Sequence, residues 1–573
     1  MNAKHTISLA ILAFLIVTGT LLVLESPTDE STTSVIVQAA DLETAAEAVR
    51  SVDGEITHEL GIIRSVGALM TPKQLERLEG IPGLRIHGNQ KVEVAGKPNK
   101  PPKTEEPDLG TVFPTLIGAQ KLHQEGTMGA GVTVAVLDTG WDNFGVFSLD
   151  TAGEWRVHES YDAINDFIVG LPWRGPVYYP ASWGENDVNG HATHIMSIML
   201  SGGNTNFEVP EEGLYNGIAP DAGLVVVKAF GSSGQGTYAD VIRGIDWVVQ
   251  NQATYDIRVL NCSFSAEIRS HYWEDPLNQA IMAAWQAGIV VVASAGNTGP
   301  DPMTVGVPGN NPYVITVGAS SDNYTPTNPD DDYLGSFSSA GPTYEGFIKP
   351  DIVAPGGHMI GMIPYNSTIY NDHPEFYDED HNFTMSGTSQ AAAVVSGTVA
   401  LMLDADPTLT PDDVKCRLLA TARPATDGSG TIAYSIFQQG TGMINAFDAV
   451  HSTASGCGNL GLDITNDLND IEHYGGRARH APDGTFYIEG LEGLEWDGSY
   501  SWAEAYFWND AYFWNDAYFW NDAYFWNDAY FWNDAYLWND AYLWNDAYFW
   551  NDAYLWNDGL VEPMTINVWV EQE

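Results

Sequence analysis

At 573 residues the chain is too long for one ordinary core, so several segments are expected. Its 75 acidic against 23 basic side chains give a formal charge of −52, which argues against nucleic acid or an anionic membrane surface as partner. Such a surface repels itself at low ionic strength and is screened as salt rises, which fits equally an acidic exported protein and one adapted to high salt.

Lys4 and His5 precede an apolar run over 7–24 that closes at Glu25-Ser26-Pro27. Residues 1–26 therefore read as an export signal. The run is long and lacks a small-x-small cleavage site directly after it, so an uncleaved membrane anchor is the alternative. Residues 31–96 then alternate extended and helical signals: a strand at 35–37, a helix at 42–49, one or two strands within 55–70, a helix opened by Thr71-Pro72 and broken at 80–83, and extended chain at 84–86 and 92–94. That order, β-α-β-β-α-β, predicts a small ferredoxin-like α+β unit. Residues 97–109, rich in proline, lysine and glutamate, read as an exposed linker that a protease could cut.

From residue 132 the apolar runs 132–137, 224–227, 259–262, 289–293 and 314–317 read as buried parallel strands, with helices predicted over 238–251 and 276–287. The class is α/β, a largely parallel sheet flanked by helices, and functional residues in such sheets gather at the carboxyl ends of the strands. Three cysteines are too few for a disulfide framework. Cys416 and Cys457 are the expected pair, and Cys262, inside an apolar strand, the buried free thiol.

Polar residues interrupt this apolar pattern at four places. Asp138 closes the strand of Val134-Ala135-Val136-Leu137-Asp138-Thr139-Gly140, and a buried carboxylate costs several kcal/mol, roughly, unless it is paired or well hydrogen-bonded. Asn189-Gly190-His191-Ala192-Thr193-His194 leads into an apolar helix; His191 is the candidate base and His194, one turn on, a satisfied core histidine. The two could share a metal, but no neighbouring ligand motif supports one, so no metal site is assigned. Ser294-Ala295-Gly296-Asn297 follows a strand, and an amide on a glycine turn suits an oxyanion donor, although a plain turn asparagine is commoner. Finally, Thr384-Met385-Ser386-Gly387-Thr388-Ser389 reads as a small-residue turn entering an apolar helix, which would set the Ser389 hydroxyl among free helix N–H groups. An ordinary serine-capped helix start would look the same in isolation.

Asp138, His191, Asn297 and Ser389, in that order, resemble the motifs of the subtilisin-like serine peptidases, or subtilases. The likeness extends over roughly residues 111–450 and includes Phe337-Ser338-Ser339-Ala340-Gly341-Pro342, Lys349-Pro350-Asp351-Ile352-Val353-Ala354-Pro355-Gly356 and Gly442-Met443-Ile444-Asn445-Ala446. It departs at Ala192, where glycine is usual, and at Gln390, Ala393 and Val394, where methionine, proline and histidine are common. The resemblance implies that Asp138 orients His191, that His191 takes a proton from Ser389, and that Asn297 with the Ser389 backbone N–H holds the oxyanion. It further implies that Gly234, Gln235 and Gly236 on one side, and Ser263, Phe264 and Ser265 on the other, sandwich a substrate strand, with Ala295 and Gly296 walling the pocket for the residue before the cut. No cofactor is implied for the chemistry. Calcium often stabilises relatives, but no ligand set maps onto this chain. Residues 31–96 resemble the family's inhibitor propeptide.

After Cys457 the composition turns Gly- and Asp-rich, and over 505–558 a hexapeptide, Ala-Tyr-Phe/Leu-Trp-Asn-Asp, repeats nine times. An even period places Tyr, Trp and Asp on one side of an extended chain, which suits either a replication-expanded spacer or an aromatic surface-binding row. The expected organisation is therefore a signal or anchor (1–26), an inhibitor propeptide (31–96), a linker and maturation region (97–109), a subtilisin-like catalytic domain (110–456), a linker (457–500), aromatic repeats (501–558) and a terminal segment (559–573). The expected function is a secreted serine endopeptidase of broad specificity that removes its own propeptide, with protein or peptide substrates and its own propeptide as partners. The alternative is a cell-surface or adhesion protein whose repeat tail matters most.

Overall fold

The computed structural model describes residues 32–79, 81–94, 97–98, 111–169, 187–203, 215–325, 328, 331–378, 382–426 and 432–496. The export signal, most of the linker over 97–109 and the aromatic repeats lie outside the described residues.

The main body is organised by one sheet whose strand order is Tyr333–Leu334, Ile315–Ser321, Val290–Ser294, Ile257–Cys262, Thr133–Asp138, Gly223–Lys228, Val157–Asp162, Phe167–Val169, with Ile352–Pro355 also pairing Ile315–Ser321. All pairings are parallel except at the two ends, where Tyr333–Leu334 and Phe167–Val169 run antiparallel. The central strands are buried along their whole length, which is why they carry Val and Ile in unbroken runs rather than alternating with polar residues. Helices cover both faces: Thr388–Ala405 and His191–Leu200 pack together, and Tyr238–Tyr255 packs beside Pro276–Gln286. The α/β expectation with a largely parallel sheet thus describes the body, and the carboxyl ends of Thr133–Asp138, Ile257–Cys262 and Val290–Ser294 all open on the same edge.

Residues 33–88 form a separate antiparallel sheet, in the order Glu55–Leu60, Ser65–Met70, Thr33–Gln38, Arg85–Gly88, with the helices Leu42–Ser51 and Pro72–Glu79. Its own small core holds Val35, Val37, Ala45, Val49, Val66 and Met70. The opposite face of the sheet docks on the body. Ile36, Leu60 and Ile63 join the main core, Gln38 donates to Gln279 at 2.7 Å, and Arg243 donates to the Thr57 carbonyl at 3.0 Å. His58 Nε2 lies 3.0 Å from Asp240 Oδ1.

Residues 457–496 correct the sequence reading, which treats 457–500 as a linker. The helix Ile464–Leu468 brings Asp467 beneath the body, where its carboxylate accepts from Tyr272 (2.8 Å) and Tyr313 (2.7 Å). A hairpin sheet, Ala478–His480, Phe486–Ile488 and Leu491–Trp496, then buries Trp496 against Phe437. A polar, glycine-rich composition hid this because few residues carry the packing and none recurs with a helical or strand period. Cys416 and Cys457 form the disulfide that anchors the start of the segment, and Cys262 is free and buried. No helix among the described residues is long and apolar enough to cross a membrane.

Candidate active site

Asp138 is the last residue of Thr133–Asp138, and its carboxylate is fully buried. Two groups offset that burial. Thr139 N–H donates to Oδ1 at 2.7 Å, and both carboxylate oxygens stand 2.9 Å from His191 Nδ1. His191 opens the helix His191–Leu200 behind Gly190, whose φ of 102° favours glycine. A histidine held this way through Nδ1 keeps that nitrogen protonated and leaves Nε2 as the basic atom.

Sequence reasoning missed the residue that fixes the two turns to each other. Asp187 Oδ1 accepts from the Thr139 hydroxyl (2.7 Å) and from Gly190 N–H (2.8 Å), while Oδ2 accepts from Thr193 N–H and the Thr193 hydroxyl, both at 2.8 Å. Thr139 Oγ1 in turn accepts from Ala192 N–H at 3.1 Å. One buried carboxylate therefore ties the Asp138 strand end to the His191 helix start. Its only sequence signal is an aspartate four residues before a candidate base, which reads as a turn residue.

Ser389 is the second residue of Thr388–Ala405, so its own N–H lies in the first turn, where the helix supplies no acceptor. Its hydroxyl donates to the Ser263 carbonyl at 3.1 Å. A buried chain supports the turn: Ser396 donates to Asn261 (2.9 Å), Asn261 to Ser263 Oγ (2.9 Å), and Ser263 Oγ to the Ser389 carbonyl (3.1 Å). Asn297 Oδ1 accepts from Thr388 N–H (3.0 Å) and the Thr388 hydroxyl (2.9 Å). Because both partners are donors, the amide orientation is determined, and Nδ2 is turned away from Thr388 with its protons available. Thr388 Oγ1 also accepts from Gly296 N–H at 3.2 Å, and Gly296, at φ 110°, leaves no room for a side chain against Ser339 and Ser265.

His194 belongs to the core. Burial pushes its pKa down to about 3, its Nε2 donates to the Phe383 carbonyl at 3.0 Å, and Gln390 stands on its Nδ1 side at 3.5 Å. Burial and the Asp138 charge likewise push the Cys262 thiol far above its ordinary range, which leaves it inert. Among the described residues no group of three or more His, Cys, Asp or Glu side chains is placed to hold a metal ion.

The cleft over these residues is lined by main chain and is filled by the protein's own N-terminal segment. Lys91–Val94 is the middle strand of a three-stranded antiparallel sheet between Gln235–Thr237 and Phe264–Ser265, with Glu93 opposite Gln235, Val92 opposite Gly236 and Val94 opposite Phe264. Gly236 has no room for a side chain because a Cβ there would meet the Ala229 carbonyl at 2.5 Å. Gly234 makes the turn before this strand at φ 72°. Lys97–Pro98 then pairs with Asn382–Ser386, Lys97 opposite Ser386 and Pro98 opposite Met385. The sequence reading placed all of 97–109 in a linker; residues 97–98 are instead a strand. Beneath this cover Asp138, His191 and Ser389 are all completely buried.

Residues 129–443, more than half of the chain, match the Subtilase family. Serine protease AprX of Bacillus subtilis (strain 168) is 40% identical over 292 residues, a match that spans 50% of this chain and 60% of that protein. Subtilisin DY of Bacillus licheniformis is 30% identical over 332 residues, which is 58% of this chain and 94% of that one. In fold the chain is similar to the crystal structure of fervidolysin from Fervidobacterium pennivorans, a keratinolytic enzyme related to subtilisin, with a TM-score of 0.55 at 22% identity over 75% of this chain and 62% of that one.

Proposed function

The chain belongs to the subtilase family, and from that premise we propose that it is a serine endopeptidase, made as a precursor, that hydrolyses peptide bonds through an acyl-enzyme. The observation that carries this reading is the buried Asp138 carboxylate at 2.9 Å from His191 Nδ1, at the foot of a cleft whose walls pair with an extended chain. The steps are those established for subtilisin itself and are carried over by family membership. Ser389 Oγ turns from the Ser263 carbonyl to attack the substrate carbonyl carbon while His191 Nε2 takes its proton. The C–N bond breaks as His191 returns that proton to the leaving amine, and water repeats the sequence to release the acid. Asn297 Nδ2 and the Ser389 N–H receive the negative oxygen, and the buried Asp138 stabilises the imidazolium. Pairing through main chain alone reads little of the substrate's sequence, which favours broad specificity.

The same register supports an inhibitor propeptide of ferredoxin-like order that ends at Ala95, one residue short of the 31–96 expected from sequence. Val94 is paired with Phe264, and Lys97 with Ser386, three residues before Ser389, which supports the bond between Ala95 and Gly96 as the one cut. That cut lies just before the linker expected from sequence. Holding it in place makes the first cleavage effectively unimolecular. The chain then acts outside the cell, exported through residues 1–26; attachment through the repeats over 501–558 rests on residues outside those described. Mass spectrometry of purified wild type and Ser389→Ala tests the proposal. Wild type should begin at Gly96, and Ser389→Ala should stay folded with its N-terminal segment uncut. A Ser389→Ala protein that matures with host proteases inhibited, or that hydrolyses casein like wild type, would refute it.

A further inference from the structure

The far end of the cleft carries a feature that the reaction does not use. Between Met359–Met362 and Asn382–Ser386 the chain makes an excursion that includes the helix Thr368–Asp372 and returns at Tyr377. It leans on the turn that carries the base: Thr368 N–H donates to the Val188 carbonyl (2.8 Å), and Ile369 N–H to the Asn189 carbonyl (3.1 Å). On it, three tyrosines form a cluster, with ring centres 4.7 Å apart for Tyr365 and Tyr370 and 5.0 Å for Tyr370 and Tyr377. Tyr365 is 64% exposed, and Asp372, Glu375 and Asp378 are exposed on the same excursion.

The excursion also closes the cleft. Phe383 pairs with Gly361 on one edge and with Tyr377 in an antiparallel bridge on the other, and that second edge is the one on which Ser386 and Met385 hold Lys97 and Pro98. A peptide lying along this edge therefore has paired seats opposite Ser386 and Met385 and is stopped by Tyr377 two positions further on. It must leave the sheet there, beside the tyrosines. In sequence, Lys97-Pro98 is followed by Asn99-Lys100-Pro101-Pro102-Lys103, whose lysines are opposite in charge to the exposed carboxylates of the excursion.

We infer that Tyr365 and Tyr370, with the neighbouring carboxylates, form a subsite for a lysine or arginine at the fifth residue beyond the scissile bond. A cation over the exposed Tyr365 ring, with half-buried Tyr370 beside it, gains a modest attraction, strengthened by the exposed carboxylates of the same excursion. This assignment rests on the hydrolase reading and names part of its substrate class. The test uses matured enzyme and quenched fluorescent peptides that share Val-Glu-Val-Ala before the cut and Gly-Ser-Pro-Asn after it, followed by Lys, Ala or Glu. Wild type should favour Lys over Glu by about two- to fivefold in kcat/KM, carried by KM. Tyr365→Ala with Tyr370→Ala should bring the ratio near one while cleaving the Ala peptide normally, and the paired Phe substitutions should retain the preference. Equal cleavage of all three peptides by wild type, or an unchanged preference in the Ala pair, overturns the subsite alone. Failure to cleave any of them overturns the hydrolase reading beneath it.

Discussion

Replacing Asp187 by asparagine changes one atom and should disable the enzyme by displacing its parts. Both Asp187 oxygens act only as acceptors, for Thr139 Oγ1 and Gly190 N–H on one side and for Thr193 N–H and Oγ1 on the other. Whichever way an asparagine amide is turned, its NH₂ faces two of these donors. The Thr139 hydroxyl cannot readily reverse, because its oxygen already accepts from Ala192 N–H. Two charge-assisted bonds are lost, each worth about 1.5–3 kcal/mol, so Asp187→Asn should cost about 3–5 kcal/mol of stability after partial relaxation. Activity should fall further than stability explains. The lost contacts hold the Asp138 turn against the His191 helix start, and a misplacement of about 1 Å at a reacting group can cost roughly 100-fold. The assay is kcat/KM on a small peptide, measured well below the variant's own melting temperature, beside thermal unfolding of both proteins. Thr193→Val removes the hydroxyl bond but keeps the Thr193 N–H bond, and should give a smaller loss in both readouts. An Asp187→Asn enzyme within twofold of wild type in kcat/KM would refute the claim that this carboxylate aligns the site.

Asn297→Ala should lower kcat by about 100- to 1000-fold with little change in KM, the range established for this donor in subtilisin. Asn297→Asp separates two effects, because it keeps acceptors for Thr388 N–H and Oγ1 but presents no donor to the oxyanion; recovery of kcat in Asn297→Asp would remove this side chain from that role. Asp275 caps the helix Pro276–Gln286, and burial pushes its carboxyl up to about 6 from the ordinary 3.8. The folded state thus binds the extra proton across that window, so stability present at pH 4 is lost as pH rises through 6. Asp275→Asn, in a Ser389→Ala background that prevents self-digestion, should raise Tm at pH 8 by the equivalent of up to about 3 kcal/mol and leave it unchanged near pH 4. An equal Tm shift at both pH values would show that the carboxyl does not titrate as stated. A chain ending at residue 496 should hydrolyse small peptides like the full protein, whereas one ending at 456 should unfold readily. The latter strands the hydroxyls of Tyr272 and Tyr313 without Asp467 and uncovers Phe437, and normal thermal stability would restore the linker reading.

The parts of the site legible in the sequence are those where a polar residue interrupts an apolar run. Asp138 ends a strand of valines and leucine, where the cost of burying a carboxylate makes it conspicuous, and half-buried Asn297 stands out as an amide on the glycine turn after another strand. Ser389 stands out for its small neighbours, although the residues before it, which read as part of a turn, are strand. Thr384-Met385-Ser386 belongs to the strand Asn382–Ser386, whose five residues are too few and too mixed to declare a period. Asp187 and Tyr377 were invisible for a different reason. Each acts through contacts with residues distant in sequence, Asp187 with Thr139 and Tyr377 as the stop on an edge that holds Lys97–Pro98, and local pattern carries no trace of such partners.

Under the proposed maturation the cleft holds its own chain before the cut and other chains afterwards, and the balance between the two follows from where the contacts lie. Between Gln235–Thr237 and Phe264–Ser265 the strand Lys91–Val94 is held by backbone pairing that any extended peptide can reproduce. The N-terminal segment adds what a substrate lacks: Ile36, Leu60 and Ile63 buried in the main core, and polar contacts from Gln38 and His58 to the helices behind the cleft. The proposed cleavage between Ala95 and Gly96 would remove the covalent tether but none of these contacts. The cut segment should therefore remain in place as an inhibitor, because a substrate competes only for the strand seats and not for the docked sheet. Full activity would then require a second event, digestion of the docked sheet by an enzyme molecule already free, and its rate should rise with protein concentration while that of the first cut should not. Following both steps by mass spectrometry across a tenfold dilution separates them: a first cut that slows in proportion to dilution would mean that one molecule matures another, and the register over Ser389 would not be the one used.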